Sequence, residues 1–231
     1  MRLQRFFIEG KIENNKELVV RDRELIHQLK DVFRFQVGAE LILLDNSGYE
    51  FHCQILQFGM GDVKLAVLRR KEVSPTLPHE LYLFFALIKK DRAEWVLEKG
   101  TELGVTHFVP ILSDRSEKKN LNFERAEKII TEAAEQSGKA TLPTLHAIET
   151  IEEAFNNFSL FFLALHPKGE SFKQTDFSHA QKVGIFVGPE GGWSDSEIAF
   201  FKRNKIPVLS LGSQILRAET AAIAVSALLL L

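Results

Sequence analysis

The hydrophobic positions change rhythm along the chain. Up to Val73 the apolar runs are short. Leu41–Leu44 (LILL) leads into the turn cluster Asp45-Asn46-Ser47-Gly48 and then into YEFHCQIL, a pattern that predicts a β-hairpin. Val63–Leu68 (VKLAVL) starts with the apolar–polar alternation of a half-buried strand. Leu25, Ile26, Leu29, Val32 and Phe33 recur at helical spacing, which predicts one short helix over Arg23–Phe33. Together these elements predict a small β-barrel, residues 1–73, carrying one helix.

The pattern then breaks at Ser74–Glu80 (SPTLPHE), where two prolines within four residues disfavour helix; this predicts a linker. Beyond it, continuous apolar strands alternate with amphipathic helices over residues 81–231. Strands are predicted at Leu81–Leu87, Phe108–Leu112, Ser159–Leu165, Val183–Val187 and Pro207–Leu211. Helices are predicted at Arg92–Leu103, with Asp91 as N-cap and Gly104 as terminator, and at Phe123–Ser137, Ser194–Asn204 and Glu219–Leu231. Strands apolar on both faces, separated by helices, predict an α/β domain with a mainly parallel sheet covered on both sides.

Composition narrows the class. The 231 residues are 45% hydrophobic and 26% charged, so a packed core is available and disorder is excluded. A single cysteine, Cys53, rules out a disulfide framework and suits a reducing, cytoplasmic compartment. The seven histidines include no H-x-x-x-H pair, so no metal site is expected. The opening MRLQRFFIEGKIE has charges interrupting its apolar run and does not predict a signal peptide. Ala221–Leu231 is far short of the roughly 20 apolar residues of a bilayer crossing, so a buried final helix is expected and no membrane association.

Two loops carry candidate chemistry. Val183–Val187 runs into GPEGGWS, Gly188–Ser194. Ligands of open α/β sheets bind at the carboxyl ends of strands, and glycines there admit positive φ and close backbone approach. The spacing fits neither the dinucleotide fingerprint nor the P-loop. The second loop, LGSQILRAETA at Leu211–Ala221, follows the next strand and brings Arg217 and Glu219 to the start of an apolar helix. Each loop alone reads equally well as a structural turn. Side by side they predict a pocket for a small, partly apolar ligand with a polar end.

Four stretches in order, KGTELGVTHFVPILSDRS (Lys99–Ser116), EAAEQSGK (Glu132–Lys139), GPEGGWSDSE (Gly188–Glu197) and LGSQILRAETA, give the chain its resemblance to the ribosomal RNA small subunit methyltransferase E family, of the SPOUT class. The resemblance spans essentially the whole chain. It implies a PUA-like N-terminal barrel, a C-terminal domain with a trefoil knot, a homodimer, the cofactor S-adenosylmethionine (SAM), and methylation of N3 of one uridine in 16S ribosomal RNA, within the small subunit. The same fold acting on another RNA base, or retained as a non-catalytic RNA-binding or assembly scaffold, stays open beside that reading. Gln214 and Lys139 stand where the family usually has Arg, and Trp193 where Phe is commoner.

By carry-over from the family's knot loops, the cofactor would be held around Leu165, Gly188, Glu190, Gly191, Gly192, Leu211, Gly212, Ile215 and Leu216. The imide N3–H of uridine is a poor nucleophile, and a guanidinium beside the carbonyl oxygens would stabilise the charge that develops there. Arg217 is the candidate for this role. Glu219 and Glu190 are the nearby carboxylates, available as base or as loop-shaping acceptors. For RNA the expected contacts are Arg2, Arg5, Arg34, Lys89, Lys90 and Arg92. The net charge of −2 gives no global basic field, but residues 1–73 hold 12 Lys and Arg against 11 Asp and Glu.

Overall fold

A computed structural model describes residues 3–13, 16–73, 78–172 and 180–231. Arg2, most of the predicted linker (residues 74–77) and the side chain of Lys90 lie outside the described set. The chain divides into two compact units: Met1–Pro75 with Ala134–Leu142, and Thr76–Ala133 with Pro143–Leu231.

The first unit is built on five strands, β1 (Arg5–Phe7), β2 (Glu17–Val20), β3 (Glu40–Leu44), β4 (Tyr49–Phe58) and β5 (Val63–Glu72). They form one sheet in the order β1-β3-β4-β5-β2, parallel at β1–β3 and antiparallel elsewhere. The sheet is curled into a half-barrel whose two edge strands are β1 and β2. The predicted hairpin is β3–β4. Asn46 (φ 59°) and Gly48 (φ 85°) make its turn, and the Asp45 carboxylate accepts the Ser47 amide at 3.1 Å. The predicted single helix is α1 (Arg23–His27), capped by Asp22, running on into one π-helical turn at Gln28–Val32. Leu29, Leu41, Leu43, Cys53, Ile55, Val63 and Leu65 fill the core. Burial pushes the Cys53 thiol up to about 12, so it is inert packing.

The second unit is a six-stranded sheet of β6 (Glu80–Ala86), β7 (His107–Ile111), β8 (Thr144–Leu145), β9 (Phe161–Ser171), β10 (Lys182–Val187) and β11 (Val208–Ser210). The order is β11-β9-β10-β6-β7-β8, and every pairing is parallel. Its helices are α2 (Lys90–Leu103), α3 (Phe123–Ser137, which ends in the first unit's segment), α4 (Ile151–Asn157), α5 (Asp195–Arg203) and α6 (Ala218–Leu230). Tyr82, Phe84, Phe162 and Phe186 pack with Ile151 and Ala154 of α4 and Phe200 and Phe201 of α5. α6 packs on α2 and against β6 and β10, burying Ala222, Val225 and Leu229. This explains the unbroken apolar reading of the central strands: both faces are covered.

Two predicted details are corrected. α2 begins at Lys90 with Lys89 at its N-cap and no side-chain cap, so Asp91 sits inside the first turn, where its charge complements the helix dipole. β9 does not stop at Leu165. After a register shift opposite Val208 and Leu209 it pairs again with β11 through Glu170 and Ser171. The polar HPKGES segment looks like loop in sequence because its strand partner is distant.

Candidate active site

The carboxyl ends of β10 and β11 and the middle of β9 converge on a cavity of about 290 Å³, close to the place where open parallel sheets present ligands. Its walls come from three stretches: Leu165–Pro167 of β9, Val187–Glu190 with Gly192 and Trp193 after β10, and Leu209–Leu211 with Gln214–Ala218 and Ala221 after β11. Among the predicted cofactor contacts, Leu165, Gly188, Glu190, Gly192, Leu211, Ile215 and Leu216 line it. Gly191 and Gly212 do not. The Gly191 carbonyl accepts from Arg115 Nη1 at 3.1 Å. Gly212 (φ 150°) holds its turn through Ser210, whose Oγ donates to the Gly212 carbonyl at 2.9 Å.

The glycine loop is shaped from within. The Gly192 amide closes a turn on the Pro189 carbonyl at 2.9 Å, with Gly192 at φ 67°, a left-handed conformation suited to glycine. A Cβ on Gly188 would lie 3.0 Å from the Trp193 ring. Trp193 is buried and its Nε1–H donates to the Leu165 carbonyl at 2.9 Å, binding the β10 loop to β9. Below it, α5 starts with a capping box: Ser194 Oγ accepts the Glu197 amide, and the Glu197 carboxylate accepts the Ser194 amide at 2.6 Å and the Asp114 amide at 3.0 Å. The Ser194 and Ser196 hydroxyls bond Asp114 and hold its carboxyl below the usual range.

Arg217 is the N-cap residue of α6, exposed at the cavity rim, and forms no ion pair among the described residues. Glu219, two residues on, is buried and does not line the cavity; its Oε2 has no hydrogen-bond partner among the described residues and its Oε1 lies 3.7 Å from Arg92 Nε. Arg92 also donates from Nη1 to Glu190 Oε1 at 2.8 Å. The other expected RNA contacts lie elsewhere. Arg5 is tied to Glu50 at 2.8 Å, Lys89 lies 3.6 Å from Glu117, and Arg34 is exposed with φ 54°.

Sequence reasoning left out several wall residues. Trp193 lay inside the quoted motif but was weighed only as a conserved aromatic. His166, which follows the predicted strand Ser159–Leu165 and reads in sequence either as its end or as a pocket residue, lines the cavity from within β9. Burial and Lys168 hold its imidazole below the usual range, which keeps a neutral ring there. Pro167 and Ala221 carry no signal in isolation.

The residues fit a small amphipathic ligand. Leu165, Val187, Trp193, Leu209 and Ala218 give apolar walls, while strand-end backbone and the Glu190, Gln214 and Arg217 side chains give polar groups at its edge. The family model for an RNA methyltransferase domain matches residues 75–230. The second unit is thus an RNA methyltransferase domain of the SPOUT class. The likeness continues through the first unit. Over 96% of this chain and 93% of its relative, the sequence is 31% identical to the ribosomal RNA small subunit methyltransferase E of Rickettsia conorii. Against the enzyme of the same name from Bacillus subtilis it is 29% identical over 95% of this chain and 93% of that one. The solved methyltransferase Lpg2936 of Legionella pneumophila, in complex with the bound cofactor SAM, superposes with a TM-score of 0.88 at 27% identity, covering 99% of this chain and 97% of that one. The chain belongs to the ribosomal RNA small subunit methyltransferase E family.

Proposed function

We propose that this protein transfers a methyl group from SAM to N3 of a uridine in 16S ribosomal RNA, and that the cavity between the middle of β9 and the ends of β10 and β11 holds the cofactor. The observation that carries this reading is the convergence of two strand-end loops and the middle of β9 on one largely apolar cavity, with a guanidinium at its rim that has no ion pair among the described residues. SAM, when bound, supplies a sulfonium-activated methyl group. The chain's own contribution is positional and electrostatic. Trp193 and Leu165 fix two of the loops against each other, and the apolar walls exclude water, which strengthens every charge interaction inside. Arg217 stands at the cavity rim with no carboxylate partner among the described residues. Its guanidinium is placed to stabilise the negative charge spread over the uridine carbonyl oxygens as N3 loses its proton. Glu219 lies beside Arg92 and off the cavity wall, a setting that favours a structural anion over a general base.

The RNA is proposed to meet the exposed cations Arg34 and Lys89. Supporting a homodimer are Trp95 of α2 and Leu228 of α6, large apolar side chains 59% and 58% exposed on two helices that pack on each other. The knot belongs to the same family reading. A cytoplasmic setting accords with the lone buried cysteine, and no described helix is long and apolar enough to cross a membrane.

The test is incubation of 16S RNA or small subunits with SAM and protein, followed by mass spectrometry of the nucleosides. The expected product is 3-methyluridine alone. With Arg217→Ala, kcat falls by roughly 100-fold or more while the melting temperature holds. A different methylated base, or none, overturns the reading; turnover of Arg217→Ala near wild type overturns the role of that residue.

A further inference from the structure

Arg92 stands in the first turn of α2, where a cation opposes the helix dipole, and Lys89 at the N-cap compounds the cost. A locally unfavourable placement of this kind marks a residue held for another purpose. What holds Arg92 is a pair of carboxylates from two other parts of the domain. Nη1 donates to Glu190 Oε1 at 2.8 Å, and Nε lies 3.7 Å from Glu219 Oε1. Glu190 belongs to the glycine loop and lines the cavity; Glu219 belongs to the first turn of α6, next to Arg217 and Ala218, which also line it. One guanidinium therefore bridges the two walls that close on the cofactor site. The Arg92 side chain is 31% exposed, that of Glu190 23% and that of Glu219 11%, so the cluster is sheltered but within reach of solvent. Glu219 depends on it: with one oxygen buried and unpartnered, the ion pair with Arg92 is the compensation for its charge.

We propose that Arg92 is a positioning residue for the cofactor site, a clamp that holds the glycine loop and the start of α6 at the spacing SAM requires, and not an RNA phosphate contact. The inference rests on the reading of the cavity as the SAM site. The geometry of the arginine side chain suits the role. Its donors sit in a rigid planar fork that can address two carboxylates in different directions, whereas a lysine ammonium is a point charge that satisfies one of them well. Loss of the guanidinium removes the link between the glycine loop and the start of α6 and leaves Glu190 and Glu219 without the cation they share.

The test is calorimetric titration of SAM into the wild type, Arg92→Ala, Arg92→Lys, Glu190→Gln and the Arg92→Ala/Glu190→Gln double variant, with melting temperatures and steady-state kinetics on each. Arg92→Ala is expected to weaken SAM binding roughly tenfold, Arg92→Lys by less, and the double variant by little more than Arg92→Ala alone, since the two residues act through one bond. The KM for SAM rises in step, while kcat at saturating SAM stays within about threefold. The KM for RNA and its salt dependence stay at wild-type values. Unchanged SAM affinity in Arg92→Ala, or strictly additive losses in the double variant, overturns the clamp. So does a raised KM for RNA with a salt slope lowered by about one, the signature of a lost phosphate contact. A wild-type protein that binds no SAM overturns the reading of the cavity itself and the clamp with it; binding in the wild type with no loss in the variants overturns the clamp alone.

Discussion

A Cβ at Gly169 would lie 2.6 Å from the backbone of Val208 and Leu209. No rotamer relieves a clash with main chain, so β11, whose end forms one wall of the cavity, can sit where it does only because residue 169 lacks a side chain. Gly169→Ala is expected to destabilise the protein by about 1–3 kcal/mol, which for a chain of this size is a fall in melting temperature of several degrees. An unchanged melting curve would show that β9 and β11 can part without cost. The glycines of GPEGG were legible in the sequence because they follow a buried strand directly. Gly169 was not, because its requirement comes from a strand some forty positions away. Arg92 was hidden for the same reason. Its bonded partner Glu190 is 98 residues distant, and a lone cation after a strand reads first as a solvated charge or a phosphate contact.

At the scale of elements, the amino ends of the parallel strands gather a second polar cluster, opposite in the sheet to the cavity. His107 at the start of β7 bonds His146 through Nδ1 at 3.0 Å and Glu80 through Nε2 at 3.1 Å, and its ring stacks on Tyr82 at 3.8 Å. Burial holds His107 and His146 below the usual imidazole range; for His107 the Glu80 carboxylate opposes this and Lys182 adds to it, and for His146 the His107 ring adds to it. Burial and the Glu80 carboxylate push the Tyr82 hydroxyl up to about 12. For Glu80 itself burial acts upward, but hydrogen bonds from Tyr82, Lys182 and His107 outweigh it and keep the carboxyl below its ordinary value. The folded protein thus binds fewer protons at the two imidazoles than the unfolded chain. Stability is level above the ordinary imidazole pKa of 6.5 and falls as pH drops from there toward the lowered native values. Melting temperatures measured from pH 8 to pH 5 should show this slope, and His146→Phe should flatten it; a slope unchanged in that variant would assign the acid sensitivity to other groups. The strands that carry the cluster were all visible as apolar runs except β8, two residues long, which no periodicity can register. Helices fared similarly. The Ser194/Glu197 capping box marks the start of α5 in the sequence itself, whereas α2 has no side-chain cap and its start was misplaced by two residues.

For the whole molecule, the division of the chain was only partly written in its hydrophobic pattern. The change of rhythm near residue 74 separates β-rich from alternating sequence, yet Ala134–Leu142 joins the first unit. There Ala140 packs beside Ile42 and Leu44, and the Leu142 amide donates to Asn46 Oδ1 at 2.8 Å. Nothing local distinguishes that return, because a helix end and a short loop look the same whichever unit they pack on. The parallel sheet was legible because burial on both faces leaves a continuous apolar signature. The site was legible because two glycine- and charge-bearing loops each follow such a strand. Of its third wall, from β9, only Leu165 was expected, from the resemblance; His166 and Pro167 lie beyond the predicted strand end, in HPKGES, which carries the composition of a surface turn. The proposed function depends on the middle of β9 and the ends of β10 and β11 forming one cofactor cradle.

Calorimetric titration of SAM into the wild-type protein and into variants that fill the cavity from two sides, Gly188→Leu and Ala221→Leu, tests this directly. The account predicts one saturable SAM site per chain in the wild type and no measurable binding in either variant, both folded by circular dichroism. Wild-type affinity in the two blocked variants would place the cofactor elsewhere and contradict it.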